Sequence, residues 1–390
     1  MDLTIKSVLT VTGILLFMIF SASVADQPAD INEVITIGAI YNLEGSQAPL
    51  DVPSYQGALL AGELFNQKSQ DRKVLIIEKD GKSDLSLIAP ITQDLIDSSQ
   101  CQVIIGLSDT DMLMPAAETA AAKNITFLTS GATSPQLPDK VQDYLYLACF
   151  GDNAQAAVAA EYAVNNLTAH TAAIYYDKTM DYTTLLSSYF KTRFEELGGE
   201  VTQYSGISSG TGNLSTDIES LKENNIPDII YLATGPDDAP GAVGSIRELG
   251  IQVPIFGGDS YDTKNLSIAA NLSGGRVYYT THAYFGGENQ IPEVQTFIEA
   301  YKQKYGTAPD AFAGLGYDAV NLVLKAIELK GNDSDIRDGF SLINQYQGVT
   351  GLFSYTNSSH IPKKSVTVMQ AGDITPVRVG AFVPESIPTP

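Results

Sequence analysis

The chain has 390 residues, of which 44% are hydrophobic and 17% are charged, and its formal net charge is −22 at pH 7. This length suits two domains of roughly 150 residues each, and this hydrophobic content excludes a disordered chain. The negative charge repels nucleic-acid phosphates and anionic membranes, so the composition predicts no nucleic-acid partner.

Residues 1–25 are predicted to be a secretory signal peptide. Lys6 precedes the apolar run Val8–Phe20, and Ser23-Val24-Ala25 supplies the small residues of a cleavage site. The run is shorter than the ~20 residues of a membrane-spanning helix, although an uncleaved anchor is the alternative. Cleavage near Ala25 would make the protein periplasmic or extracellular.

Strands and helices alternate over the first half of the mature chain. Such alternation is typical of a parallel sheet covered by helices on both faces, and it predicts a first α/β lobe. The predicted strands are Val34–Tyr41, Lys73–Glu78, Val103–Ile105, Ile125–Leu128 and Tyr144–Ala148, and the predicted helices are Tyr55–Phe65, Ser86–Ile96 and Pro115–Ala122.

The pattern restarts near Gly151 and predicts a second α/β lobe of the same architecture. No flexible linker separates the two series, which favours a hinge between the lobes. The predicted helices are Gln155–Asn165, Thr183–Leu197, Leu214–Asn224 and Gly241–Leu249, and the predicted strands are Ala172–Tyr176, Glu200–Tyr204, Asp228–Leu232 and Pro254–Phe256.

Two longer helices, Ile291–Tyr305 and Tyr317–Leu329, follow with apolar residues at helical spacing. The β-like runs Ser365–Met369 and Val377–Phe382 come next, and residues 384–390 are predicted to be a frayed tail.

The two cysteines, Cys101 and Cys149, are predicted at the start of one strand and the end of another. Export would permit a disulfide. We expect these strand ends to lie at opposite edges of a parallel sheet, however, which is too far apart for a bond.

The stretch Ile125–Pro135, with its turn Ser130-Gly131-Ala132-Thr133, resembles the periplasmic branched-chain amino acid and amide binding proteins. Further similar stretches are spread along the chain in the same order as in that family, which makes the resemblance specific. They are Ile35–Tyr41, Val103–Gly106 with Pro115–Glu118, Ala173–Asp177, Phe256–Asp259 and Tyr317–Ala319.

The resemblance implies a type I periplasmic binding fold, in which two α/β lobes are joined by a hinge of three crossings. The first lobe would comprise residues 33–148 and 283–345, and the second would comprise residues 151–280 and 350–383. As a member of this family, the protein would hold a small polar ligand in the cleft and deliver it to the membrane permease of an ABC importer. We expect a monomer with no cofactor.

The resemblance also implies ligand-binding residues on both lobes. Thr133 matches a threonine whose hydroxyl and N–H contact the ligand carboxylate, and Gly131, beside Ala132, matches a residue whose carbonyl receives the ammonium. Asp259, followed by Ser260, matches the acid that pairs with the ammonium from the second lobe. The alternatives are an ordinary helix N-cap at Thr133 and an Asx turn at Asp259.

Thr110 falls where the family places a serine that binds the carboxylate. Asp109 and Asp111 flank it, although relatives carry small or hydroxyl residues there. Two carboxylates would repel an anion by on the order of 1 kcal/mol each. Either both face solvent, or the ligand is not a simple amino acid. A cationic, amide or polyol ligand would suit these carboxylates better.

The remaining predicted contacts are less closely matched. Asp181 and Tyr182 follow a strand at the point where relatives place an aromatic lid, and a capped helix start is the alternative. Ser46 lies in a first loop, Glu44–Gln47, that departs from the family pattern. The aromatic residue expected near Thr234 is absent, which weakens a branched-chain specificity.

The sequence contains no pattern that requires catalysis or a metal. His170, His282 and His360 lack metal-ligand spacing and are interpreted as surface or hinge residues. Gly206–Gly210 matches a hydrolase elbow but lies in a Ser/Gly-rich loop. We therefore predict a binding protein and not an enzyme, with a receptor-linked sensor and, less favoured, an exported hydrolase as alternatives.

Overall fold

A computed structural model of the protein describes residues 33–141, 143–208, 226–264, 266, 276–287, 291–331, 335–355, 360–372 and 375–390. The predicted signal peptide and the helix predicted over Leu214–Asn224 lie outside these residues. Within the described residues, no helix combines the length and the apolar character needed to cross a bilayer.

The first sheet has five parallel strands in the order β2-β1-β3-β4-β5. Its central strands are almost entirely apolar, with Ile35, Ile37 and Val103 fully buried, as expected of strands covered on both faces. The elements are β1 (Glu33–Tyr41), α1 (Ala48–Lys68), β2 (Arg72–Asp80), α2 (Leu85–Ser99), β3 (Val103–Gly106), α3 (Thr110–Ala121), β4 (Thr126–Thr129), α4 (Leu137–Lys140) and β5 (Leu145–Leu147).

The second series of elements builds five further parallel strands in the order β10-β9-β8-β6-β7. Strand β10 was not predicted from the sequence. The elements are α5 (Asp152–Asn165), β6 (Thr171–Asp177), α6 (Asp181–Glu196), β7 (Glu200–Ile207), β8 (Ile229–Ala233), α7 (Ala239–Glu248), β9 (Ile255–Gly257), a short 3₁₀ helix (Asp259–Tyr261) and β10 (Val277–Thr281).

The chain then passes back to the first sheet. Close packing of the returning helix against the first helix depends on glycine, because a Cβ at Gly57 would lie 1.9 Å from the Ala313 carbonyl oxygen and one at Gly316 would lie 1.8 Å from that of Ser54. The elements are α8 (Pro292–Tyr305), α9 (Ala311–Leu329), α10 (Ile336–Ser341), β11 (Tyr346–Gly348) and β12 (Gly351–Phe353).

Helices α9 and α10 share one hydrophobic core with β1 and β3, and residues between β10 and α8 also pack against this side of the molecule. Two lobes are therefore built from non-contiguous segments. The residue boundaries given above for the lobes remain a prediction.

The last two strands, β13 (Val366–Gln370) and β14 (Val377–Phe382), complete the second sheet, in which β13 pairs with β10. Both of their pairings are antiparallel, so the second sheet is mixed and not wholly parallel as predicted. The short connection between β13 and β14 explains their antiparallel pairing, because a parallel neighbour needs a crossover of a dozen or more residues.

A buried polar network joins two of the crossings to helix α9. The Asp318 carboxylate accepts hydrogen bonds from the Val349 N–H (2.8 Å), the Thr350 N–H (2.8 Å) and the Thr350 hydroxyl (2.6 Å). The Lys364 ammonium donates to that same Thr350 oxygen (2.5 Å) and to the Ala148 carbonyl (3.1 Å). The network therefore ties the segment after β5 to the segment that leads into β13.

The C-terminal residues pack against α5, and the prediction of a frayed tail is wrong. The Glu385 N–H donates to the Glu161 carboxylate (3.0 Å), and the Asn153 side-chain amide donates to the Pro388 carbonyl (3.0 Å). Glu161 is already paired with Arg193 (2.7 Å), and its remaining acceptor sites hold the tail in place.

Both cysteines are buried and free. The Cys149 thiol donates to the Ala132 carbonyl at 3.3 Å.

Candidate functional site

A small cavity lies between the lobes, at the carboxyl ends of strands from both sheets. The space inside it is about 10 Å³, which is roughly the room that one water molecule needs. A larger ligand therefore requires the lining residues of the two lobes to move apart. The lining residues are Gln47, Leu50, Ser108, Asp109 and Thr133 from the first lobe, and Met180, Tyr182, Pro236, Asp259 and Ser260 from the second.

The turn after β4 brings Thr133 to the cavity. The Ala132 N–H donates to the Thr129 hydroxyl (3.0 Å), and the Thr133 carbonyl accepts from the Asp152 N–H (2.7 Å). At Gly131, a Cβ would lie 2.9 Å from the Ser108 side chain and 3.1 Å from the Phe312 ring. Gly131 and Ala132 are therefore buried behind Thr133 and allow the neighbouring loop to approach closely.

The start of α3 supplies Asp109 to the cavity lining, whereas the next residue, Thr110, does not line the cavity. Asp109 is the N-cap of this helix, and its carboxylate accepts from the Met112 N–H at 2.9 Å. It is only 5% exposed, so the solvent-facing alternative is wrong for Asp109. Burial and the nearby Asp111 charge raise the pKa of Asp109 to about 7. The Thr110 hydroxyl is buried beside it and makes no hydrogen bond within the described part of the chain.

Asp111 and Asp181 form a contact between the lobes. The Asp181 N–H, at the start of α6, donates to the Asp111 carboxylate at 3.1 Å. The Asp181 side chain itself is exposed and does not line the cavity. Ser46 is exposed as well, whereas its neighbour Gln47 is buried and does line the cavity.

Asp259, on the 3₁₀ helix after β9, is the centre of the second-lobe face. Its Oδ1 accepts hydrogen bonds from the Gln155 amide (2.7 Å) and the Tyr182 hydroxyl (2.8 Å). Its Oδ2 lies 2.9 Å from Nε2 of His282. The side-chain carbonyl of Gln155 accepts from the Asp259 N–H (3.1 Å) and the Thr280 hydroxyl (2.5 Å). The carboxylate is therefore held in one orientation by three donors.

These contacts determine which acid carries charge. Burial alone would raise the pKa of Asp259, but the hydrogen bonds from His282, Gln155 and Tyr182 act against it, and the pKa is lowered. Burial and the Asp259 charge raise the pKa of Asp152 to about 8. Near pH 7 the site thus keeps Asp259 ionised and Asp152 largely protonated.

Sequence reasoning identified Asp259 and Tyr182 but missed Gln155, Asp152 and His282. His282 is fully buried and paired, so it is not a surface residue. The sequence signal that could have identified His282 is its position directly after the Tyr-Tyr-Thr-Thr run of β10. Side chains at the carboxyl ends of parallel strands collect around ligands.

The cavity lining has an acidic character. Its described residues include Asp109 and Asp259 but neither lysine nor arginine. Nor do the described residues contain a group of three or more His, Cys, Asp or Glu side chains that could hold a metal ion. Such a lining favours a ligand with a cationic or amide group over a simple anion.

Residues 34–374 match the family model described as "Periplasmic binding protein". An amino acid binding protein of Pseudomonas aeruginosa is 22% identical over 75% of this chain and 78% of its own length. The Leu/Ile/Val-binding protein homolog 3 of Brucella melitensis is 25% identical over 77% of this chain and 80% of its own length.

Solved structures show the same fold. A leucine-binding protein from Thermotoga maritima superposes with a TM-score of 0.81 at 25% identity, covering 90% of this chain and 99% of that one. A solute-binding protein from R. palustris in complex with benzoate superposes with a TM-score of 0.80 at 18% identity, covering 90% and 97%. The chain therefore belongs to the periplasmic binding protein family and has the type I fold that its sequence predicted.

Proposed function

We propose that this protein is an exported solute-binding protein that captures a small polar ligand, an amino acid or an amide, between its lobes. It then delivers the ligand to the membrane permease of an ABC importer. The observation that carries this proposal is that Thr133 and Asp259, on opposite lobes, line the same cavity. The names of the amino-acid-binding relatives support the same ligand class.

Capture would proceed by opening and closing of the hinge. The cavity holds only about 10 Å³, so the ligand would enter it in a form in which the lobes have parted. Closure then forms the contact between the Asp181 N–H and Asp111. A ligand that contacts both Thr133 and Asp259 only in the closed form shifts the population towards closure, and the permease recognises that form.

The two faces of the cavity suit the two ends of an amino acid. Asp259 is an ionised, buried acceptor for the ammonium group. On the first lobe, the hydroxyl of Thr133 is a donor for the carboxylate. Asp109, with its pKa raised to about 7, takes up a proton readily as that carboxylate approaches and becomes a donor to it.

This distribution of charge opposes simple aromatic acids. Benzoate has a carboxylate but no ammonium group, so it would leave Asp259 without a ligand partner and would add an anion to an acidic cavity. We therefore propose a zwitterionic or amide ligand, although a fold neighbour is in complex with benzoate.

Export and the mode of action belong to the same proposal. The predicted cleavage near Ala25 would release a monomer into the periplasm or the extracellular space. The family match over residues 34–374 supports an exported protein, and it supports binding without turnover of the ligand.

A thermal-shift and calorimetry screen tests the proposal. The panel contains L-amino acids, amides, urea, polyols and benzoate. We expect a zwitterion or an amide to bind, with about 2.7 kcal/mol of stabilisation at 100 times its Kd. Thr133→Ala should weaken this binding by about tenfold or more, because a hydrogen bond to a charged group is lost.

The matched control is Ser46→Ala, which alters an exposed hydroxyl outside the cavity and should leave the Kd unchanged. The proposal fails if benzoate is the only binder, or if the bound compound is hydrolysed. Equal Kd values for the wild type and Thr133→Ala would contradict the assignment of the site.

A further inference from the structure

His282 occupies an unusual position for a histidine. It follows β10 directly, and its side chain is 0% exposed. The ring stacks on Phe150, with centroids 3.9 Å apart, and its edge packs against Phe312 at 5.9 Å. Phe150 lies between β5 and α5, and Phe312 lies in α9 of the first lobe. The imidazole therefore sits where the two lobes join, packed against two aromatic rings.

Nε2 of this ring lies 2.9 Å from Asp259 Oδ2, while Gln155 and Tyr182 bond Oδ1. Within the described residues, His282 is thus the side chain that contacts the second carboxylate oxygen of Asp259. A neutral ring that donates from Nε2 orients Asp259 without cancelling its charge. A protonated ring also orients the carboxylate, but it neutralises the charge that attracts a cation.

We propose that His282 is a positioning residue for ligand binding, which fixes Asp259 and sets the charge that it presents to the cationic group of the ligand. This inference rests on the proposed function. It adds that affinity depends on the protonation state of a side chain that does not line the cavity.

The groups around the ring set the sign of this dependence. Burial lowers the pKa of His282, Asp259 opposes that effect, and the Lys364 charge adds to it. Asp152 on α5 is coupled to the same carboxylate. The ring is therefore neutral at pH 7 and gains its proton only below about 6.5, the ordinary histidine value. Because a bound cation and a protonated ring compete for Asp259, affinity falls as the pH falls through that range.

Two amide substitutions separate this role from simple packing. In His282→Gln, the amide nitrogen can reach the position of Nε2 and cannot gain a proton. His282→Asn carries the same amide on a side chain too short to reach Asp259. His170→Gln is the control, because His170 is exposed and lies far from the cavity in the second lobe.

Calorimetry with L-leucine from pH 7.5 to pH 5 measures the effect. Wild-type affinity should fall by up to tenfold per pH unit below the His282 pKa, as expected for one competing proton. His282→Gln should bind within about threefold of the wild type at pH 7.5 and lack this low-pH loss. His282→Asn should bind about tenfold or more weakly at every pH. Any change near pH 7 to 8 that persists in His282→Gln belongs to Asp109 and Asp152.

NMR of the ligand-free protein tests the inference without relying on ligand identity. The chain has three histidines, so substitution assigns each ring. We expect His282 to be the neutral, Nε2-protonated tautomer at pH 7 and to have a pKa below the ordinary histidine value. A ring protonated on Nδ1, or one that is cationic at pH 7, would overturn the inference. So would L-leucine binding with the same low-pH profile in His282→Gln. Failure of L-leucine to bind at any pH would count against the proposed ligand and leave the NMR result to decide the role of His282.

Discussion

Replacing Asp259 by asparagine is expected to weaken ligand binding by about 100-fold, the largest effect on binding that the structure predicts. The substitution preserves shape and removes the buried charge. Loss of one partner from a buried, hydrogen-bonded charge pair costs about 2–5 kcal/mol, and about 2.7 kcal/mol corresponds to 100-fold in Kd. Calorimetry at pH 7.5 on the purified, folded variant measures this effect.

The control for this prediction is Asp181→Asn. This substitution removes a carboxylate that was predicted from the sequence to lie at the site. The structure shows that Asp181 is exposed and does not line the cavity, so the Kd of the variant should match that of the wild type. If Asp259→Asn changed the Kd by less than about threefold, or if Asp181→Asn caused the larger loss, Asp259 would not be the partner of the ligand cation.

Asp318→Ala is expected to lower the free energy of unfolding by about 3–5 kcal/mol, the cost of leaving a buried charge without its partner. The substitution removes the acceptor for two N–H groups and one hydroxyl, and it leaves the Lys364 ammonium buried among neutral groups. Urea denaturation of the ligand-free protein measures the change. The loss should appear without ligand, because this network joins the crossings and does not line the cavity.

Lys364→Met provides the matched test of that network. Its effect should be smaller, because Asp318 keeps all three of its donors and the methionine fills the space of the lysine stem. In the double variant, the second substitution should cost less than it does alone, since no unpaired ammonium remains. A loss below about 1 kcal/mol for Asp318→Ala, or strictly additive losses, would show that the network does not stabilise the hinge.

The alternation of strands and helices was predictable because each element carries its own periodicity, but several helix starts were misplaced. Helix α1 begins at Ala48 and not at the predicted Tyr55. Pro49 and Pro53 misled the prediction, because proline usually breaks a helix. Both lie in the first two turns, where proline is tolerated better than in the middle of a helix. Helix α9 begins at Ala311, six residues before the predicted start. Gly314 and Gly316 resemble a helix break in the sequence. Gly316 is required by the close approach of α1, and a Cβ at Gly314 would meet the side chains of Phe285 and Thr350.

The candidate site was predictable only in part, for a different reason. Thr133, Tyr182 and Asp259 were predicted from local motifs that resemble the family. Gln155 lies 104 residues from Asp259 in sequence, and their contact depends on how α5 packs against the second sheet. No local pattern in the sequence shows that Ser46 and Asp181 are exposed.

A crystal structure of the protein with the panel compound of lowest Kd tests the central claim most directly. We predict closed lobes around a single ligand, with its cationic or amide group within 3.2 Å of an Asp259 oxygen and its opposite polar end at the Thr133 hydroxyl. A ligand bound outside the cleft, or one inside it that touches neither residue, would contradict the account.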